Sequence, residues 1–392
     1  MMTNPTLRKN LKLSTLLAGL SVLALTAVLP LKAAAATNAL TLQAQQLAGQ
    51  TPVTDPELAA LFAQTNATWE ALKKGQLAEM RKFSQAKLAA EQTACKTLFY
   101  PFGGPDVLNA LTLFPSCQHY ILFGLEPVGT LPNLSNKPAA EVKQFVKAMN
   151  QSQEYLLRRN FFVTQYMSKD FRSKKLDGVI PLISVTLARL GYELKGIEYK
   201  SLDGTPFFEY RTRDAAIDPK ADPNAAPASA AEAKPRKRVP RAVLFSFSLP
   251  GSNKVQTLFY ANFDASDEGL KRRPYFPRYM EKHAPTATLL KAASYLMHGP
   301  EFSNMTALVL SKSPVIVQDD TGLPYRTLLD AGYRVELFGN YSKPIGLFNY
   351  RAQPELAKAY AALPARSTLP FMWSYNVARE DMGLQLARKP AK

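Results

Sequence analysis

Three acidic groups follow apolar runs of strand length in this sequence. Glu126 comes after the run His119–Leu125, and Asp319 and Asp320 come after Val315–Gln318. A third run, Arg334–Phe338, leads through Gly339 to Asn340 and Tyr341. In open α/β sheets ligands gather beyond the carboxyl ends of the strands. If these strands are parallel neighbours, three carboxylates converge on one sheet edge. Such a cluster can hold a divalent cation through oxygen ligands, or divide into acid and base by mutual repulsion. Glu126, Asp319 and Asp320 are therefore the candidate catalytic residues. Asn340, Tyr341 and Arg326, the last on a short helix after the Asp pair, are the candidate ligand-binding residues. Turn chemistry accounts for the same residues in another way, since Asp-Asp-Thr-Gly is good turn sequence and Glu-Pro simply ends a strand. Asp106 follows Gly103-Gly104-Pro105, and helix-start grammar explains it without a site.

Other chemistries lack the residues they need. There is no G-x-G-x-x-G after a strand and no G-x-x-x-x-G-K-[ST], so dinucleotide and P-loop readings lose their phosphate cradle. No G-x-S-x-G elbow and no H-E-x-x-H occurs. The histidines His119, His283 and His298 are too scattered to predict a zinc site, and His119 at a strand start reads as structural. No metal ligand set and no cofactor is assigned.

Residues 1–36 read as a signal segment. Arg8, Lys9 and Lys12 form a positive start, Leu13–Leu31 an apolar stretch, and Ala33–Ala36 offer small-residue cleavage sites. An uncleaved anchor is the rival reading, because the stretch approaches spanning length. No later stretch is apolar enough to cross a bilayer. The expected location is outside the cytoplasm, periplasmic or secreted. The formal net charge is +17; Arg8, Lys9, Lys12 and Lys32 fall in the acid-free first 36 residues, leaving +13 beyond them. That excess favours anionic partners. The expected export argues against a nucleic-acid partner despite the run Lys234-Pro235-Arg236-Lys237-Arg238. Cys95 and Cys117 are the two cysteines, and an oxidising compartment favours a disulfide between them over two buried free thiols.

The elements that must position these groups follow from local pattern. Residues 37–53 read as polar and mobile. Thr54-Asp55-Pro56-Glu57 starts a helical arm over 37–94, with helices at about 55–65 and 67–93. The main domain, 95–380, opens with a short strand at Leu98, a helix after Pro105 and the buried run 119–125. Helices follow over 139–175 and Val179–Leu190, then a half-exposed strand Tyr192–Lys200 and a second strand Pro206–Arg211. Residues 214–240 lack apolar periodicity and read as a disordered insertion. Val243–Leu249 and Val255–Phe263 flank Pro-Gly-Ser-Asn, a hairpin signal. The basic-aromatic stretch Lys271–Tyr279 reads as a loop. A helix is expected over 286–298, further strands at Ile345–Phe348 and Met372–Asn376, and a basic tail over 381–392. The fold class is α/β, a mixed β-sheet flanked by helices.

The segment Tyr100–Asp106 (YPFGGPD), with Leu122–Gly129 (LFGLEPVG), Gln318–Arg326 (QDDTGLPYR) and Leu337–Tyr341 (LFGNY), resembles an uncharacterised family of exported bacterial proteins. The resemblance implies an exported domain over most of residues 95–350 and supplies no catalytic residue. The leading functional expectation is a soluble exported protein binding an anionic or polar envelope ligand at the strand-end edge. A hydrolase of envelope material using the clustered carboxylates is the second, and a scaffold docking proteins through the helical arm the third.

Overall fold

The structure, a computed structural model, describes residues 38–161, 176–207, 239–364, 368–375 and 381–390. Residues 1–37 (which include the expected signal segment), the end of the helix expected over 139–175, most of the strand expected over Pro206–Arg211 and nearly all of the insertion 214–240 lie outside the described residues.

The first elements are four helices: α1 (Ala39–Leu47), α2 (Pro56–Lys74), α3 (Gln76–Lys87) and α4 (Ala89–Ala94). Residues 37–53, expected to be mobile, instead contain α1, capped by the Asn38 side chain accepting the Thr41 N–H. Asp55 caps α2 by accepting from Leu58 N–H at 2.8 Å, with Pro56 in the first turn. Gly75, at φ −94 and ψ −100, ends α2, and Leu88 ends α3, so the long helix expected at 67–93 is divided among α2, α3 and α4.

The sheet follows: β1 (Thr97–Tyr100), α5 (Val107–Leu113), β2 (His119–Gly124), α6 (Ala139–Arg159), α7 (Ile180–Arg189), β3 (Glu193–Lys200), β4 (Ala242–Ser248), β5 (Gln256–Asn262), α8 (Asp267–Arg272), α9 (Tyr275–Lys282) and β6 (Ala287–Leu290). Then come 3₁₀ turns over Ala293–Phe302, α10 (Ser303–Lys312), β7 (Val315–Gln318), α11 (Tyr325–Asp330), β8 (Arg334–Gly339), a 3₁₀ segment Gly346–Arg351, α12 (Pro354–Ala361) and β9 (Gly383–Arg388). The nine strands form one mixed sheet in the order β3-β4-β5-β2-β1-β6-β7-β9-β8. The centre, β5-β2-β1-β6-β7, is parallel; β4 and β9 run against their neighbours.

Several expectations are overturned. The helix expected over 286–298 is β6 followed by a 3₁₀ turn. All four β6 residues are buried, paired to β1 on one side and β7 on the other. Those long-range pairings override a local sequence that reads as helical. The basic tail contains β9, and residues 372–375 are not a strand. The stretch 271–279 runs through the end of α8 and most of α9, and Ile345–Phe348 leads into the 3₁₀ segment.

Alternation along the central strands divides the core. Leu98, Tyr100, Tyr120, Leu122, Leu258 and Tyr260 join one cluster, while Phe99, Ile121, Phe123, Phe259 and Ala261 join the other. A period of two places these sets on opposite faces of the sheet. The first face is covered by α1–α3 and α5–α7, with Phe62, Trp69, Leu108 and Ile183 in its core. The second is covered by α8–α10, with Leu270, Phe276 and Met305. The arm's apolar face is thus part of the main core. Among the described residues no helix is long and apolar enough to cross a membrane.

This layering creates a crevice. The chain leaves β1 over the first face, through α5, to reach β2. It leaves β6 over the second face, through α10, to reach β7. The connections diverge between neighbouring strands β1 and β6, which opens a gap at their carboxyl ends.

Candidate functional site

Four charged groups emerge where β1, β6 and β7 end: Asp106, Lys291, Asp319 and Asp320. Lys291 and Asp319 have no exposed surface, and Asp106 and Asp320 are also buried. Asp106 caps α5 by accepting Asn109 N–H at 3.1 Å, and its other oxygen accepts the Tyr100 hydroxyl at 2.8 Å and Asn109 Nδ2 at 2.7 Å. Helix grammar therefore places it, and the same carboxylate faces the crevice charge. Lys291 Nζ donates to the Asn160 carbonyl and lies 5.3 Å from the centre of the Trp373 ring. Asn160 ends α6 in the left-handed region, φ 65, which turns its carbonyl toward this point.

Asp319 is held by backbone and turn. Its Oδ1 accepts Thr321 N–H at 2.8 Å and the Thr321 hydroxyl at 2.6 Å; its Oδ2 accepts Ala292 N–H at 3.2 Å. Ala292 has φ 61 and ψ −100, a conformation that a non-glycine residue adopts at a cost. Gln385, on β9, donates to the Asp319 carbonyl at 3.2 Å and accepts from Gln318 at the same distance. The Asp320 carboxylate accepts the Tyr295 hydroxyl, and its carbonyl accepts Gln353 Nε2 at 2.7 Å.

Burial dominates the electrostatics. It raises the Asp106 and Asp319 carboxyls and lowers the Lys291 ammonium, while attraction between Lys291 and the two carboxylates opposes those shifts. Burial and then the Asp319 charge push Asp320 up to about 7. Three buried polar atoms around Lys291 have no hydrogen-bond partner among the described residues: Asn109 Oδ1, Asn160 Oδ1 and Trp373 Nε1. Two acceptors and one donor are thus left beside a buried ammonium. Above Asp320, Tyr295 packs against Phe348 (4.7 Å between centres), and Phe348 against Tyr375 (5.5 Å).

The other sequence candidates lie apart. Glu126 follows β2, which is separated from β7 by β1 and β6, three strand spacings or about 14 Å. Its carboxylate folds back toward the Tyr260 hydroxyl, 3.2 Å away, over Gly124, where an added Cβ would run into Glu126 Oε2. The expected convergence of Glu126 with the Asp pair does not form. Tyr341 sits near Asp320 and accepts Gln353 N–H at 3.3 Å. Asn340, Tyr341, Ser342, Lys358 and Asp381 line a cleft of about 530 Å³ beyond β8. Arg326 is exposed on α11 and pairs with Asp330 at 2.9 Å. Among the described residues no group of three His, Cys, Asp or Glu is placed to hold a metal ion.

Sequence reading missed Lys291 and gave Asp106 only its capping role. The available signal for Lys291 was a lysine directly after the apolar run Ala287–Leu290. No family model matches the chain, and no match emerged among curated proteins or solved structures.

Proposed function

We propose that the chain is an exported binding protein that takes a polar, hydroxyl-bearing envelope ligand at the strand-end edge. The crevice between β1 and β6 and the ground above Asp320 form the recognition centre. The observation that carries this reading is the set of unpartnered atoms, Asn109 Oδ1, Asn160 Oδ1 and Trp373 Nε1, around Lys291 where the chain connections diverge. A hydroxyl both donates and accepts, so it complements two acceptors and a donor. Aromatic rings and carboxylates beside it suit the ring faces and hydroxyls of a saccharide. Three carboxyl groups against one ammonium disfavour a strongly anionic group at this point, whatever the excess positive charge elsewhere. The exported-family resemblance of YPFGGPD and LFGLEPVG belongs to this reading.

Trp69 lies in the core on α2 and Trp373 at the site, so a Trp69→Phe variant leaves one reporter. Titration of that variant with neutral saccharide fragments, polyols and their phosphorylated forms should shift Trp373 emission with the neutral hydroxylated ligands first. Binding that persists unchanged in Asp320→Asn and in Asn160→Ala would overturn the assignment. Asp320, raised to about 7 beside Asp319, favours a second reading. Such a pair can split into acid and base for hydrolysis. That hydrolase would use the Asp pair without Glu126; turnover of envelope glycans abolished in both Asp319→Asn and Asp320→Asn would select it.

A further inference from the structure

The segment 342–352, which follows β8 and includes the 3₁₀ turn Gly346–Arg351, carries two cations, Lys343 and Arg351, and no acid. Its apolar residues divide by direction. Phe348 turns inward onto Tyr295 and Tyr375 and anchors the segment. Leu347 and Tyr350 on either side are 75% and 72% exposed, among the most exposed large apolar side chains of the described body. The Arg351 guanidinium lies 5.0 Å from the centre of the Tyr350 ring. Among the described residues the acid bonded to this segment is Asp381, whose carboxylate accepts the Ser342 N–H and hydroxyl at the segment's start.

We propose that this segment is a docking surface for an anionic lipid bilayer. Two side chains offer roughly 300 Å², far below the ~800 Å² per partner that a stable protein interface requires. A bilayer needs no such area. An aliphatic and an amphipathic aromatic residue enter the headgroup boundary together, and flanking cations draw the loop to anionic lipid. Tyrosine with a stacked arginine suits that boundary, since the ring sits at headgroup depth while the guanidinium meets phosphate. The inward anchor, Phe348, fixes the loop so that insertion of Leu347 and Tyr350 orders little new chain.

The test is co-sedimentation of the full chain with vesicles of phosphatidylcholine alone and of phosphatidylcholine mixed with phosphatidylglycerol. Every variant is compared with the parent, so any contribution of residues 1–36 cancels. Binding to the mixed vesicles is expected, weakening with salt. Leu347→Ser combined with Tyr350→Ser should lower it at least about ten-fold, in line with the loss of two inserted side chains. Lys343→Gln and Arg351→Gln should each lower it roughly five-fold. An unchanged thermal unfolding midpoint shows that the variants remain folded. Equal binding by parent and both sets of variants would overturn the proposal and assign any attraction to overall charge. Equal binding to neutral vesicles would overturn the anionic requirement. Self-association that the Leu347/Tyr350 variant abolishes, without vesicle binding, would overturn it in favour of a second copy of this chain.

Discussion

The two edges of the sheet bury titratable groups in opposite ways. At the amino-terminal edge His119, the first residue of β2, has both ring nitrogens occupied: Nδ1 lies 2.7 Å from the Thr257 hydroxyl and Nε2 2.9 Å from the Tyr279 hydroxyl. His283 packs beside it with the ring centres 4.5 Å apart and the planes inclined at 38°. Burial, and then the neighbouring His283, hold its pKa down to about 3, so it stays neutral. The Cys95–Cys117 disulfide staples the same edge, just before β1 and β2. At the carboxyl-terminal edge a buried ammonium faces buried carboxylates, and three polar atoms around it lack partners. A neutral, fully bonded histidine is explained by the fold alone. A buried ammonium beside three polar atoms without partners calls for a further explanation, and that difference is what supports the recognition centre proposed above.

Removing the central cation should give the largest effect. Lys291→Met leaves Asp106 and Asp319 buried without a counter-charge, and destabilisation of about 3–5 kcal/mol is expected in denaturant titration. Neutralising the carboxylates as well, with Asp106→Asn and Asp319→Asn, should restore much of that loss. A single variant as stable as the parent would show that the cluster carries no buried charge.

The opposite edge should respond to its staple next. Opening the 22-residue separation between Cys95 and Cys117 by double replacement with Ala is expected to cost about 3 kcal/mol on the chain-entropy account. His119→Phe should cost less, about 2 kcal/mol, by stranding the Thr257 and Tyr279 hydroxyls. Its pH signature is more diagnostic. The folded-state pKa of His119 lies below its unfolded value of 6.5, so its contribution is present above pH 6.5 and is lost as pH falls toward 3. Tyr279, Thr257 and His283 face the ring, and His283 is itself held down by burial and Lys282. The Phe variant should therefore show a flatter acid limb. An unaltered limb would assign acid sensitivity to other groups.

Much of this architecture is legible in the sequence, and the gaps have a common cause. Asp106 as a helix start, the hairpin of β4 and β5 and the strand-end positions of Asp319 and Asn340 all follow from patterns within a few residues. Convergence does not. Glu126 and Asp319 both end parallel strands, yet β1 and β6 lie between those strands, and strand order is written only in long-range pairing. Lys291 was hidden because Ala287–Leu290 is too short for periodicity to distinguish helix from strand, and the following Ala-Ala-Ser-Tyr-Leu-Met favours helix. Gln385 was hidden by a tail whose basic residues mask the alternation of Leu384, Gln385 and Leu386. The cluster is assembled from five segments spread over more than half the chain, and none of them announces its neighbours.

Asp320 sharpens the comparison in the other direction, through the sign of its pH dependence. Its folded-state pKa, about 7, lies above the unfolded aspartate value, opposite to His119. A group raised in this way contributes stability fully below the unfolded pKa near 4, and that contribution is lost as pH rises through about 7. Asn at this position resembles the protonated carboxyl. Asp320→Asn should therefore match the parent near pH 4 and exceed it by up to about 4 kcal/mol at pH 8. Thermal melts across that range measure the effect directly. The sign is what matters: between about pH 4 and 7 the His119 variant removes a loss of stability on acidification, whereas the Asp320 variant removes a loss of stability on raising the pH. If Asp320→Asn were less stable than the parent at pH 8, the carboxylate would be ionised and well paired in the fold. Asp320 would then be a structural group like His119, and the recognition centre would contract to Lys291 and the unpartnered atoms beside it.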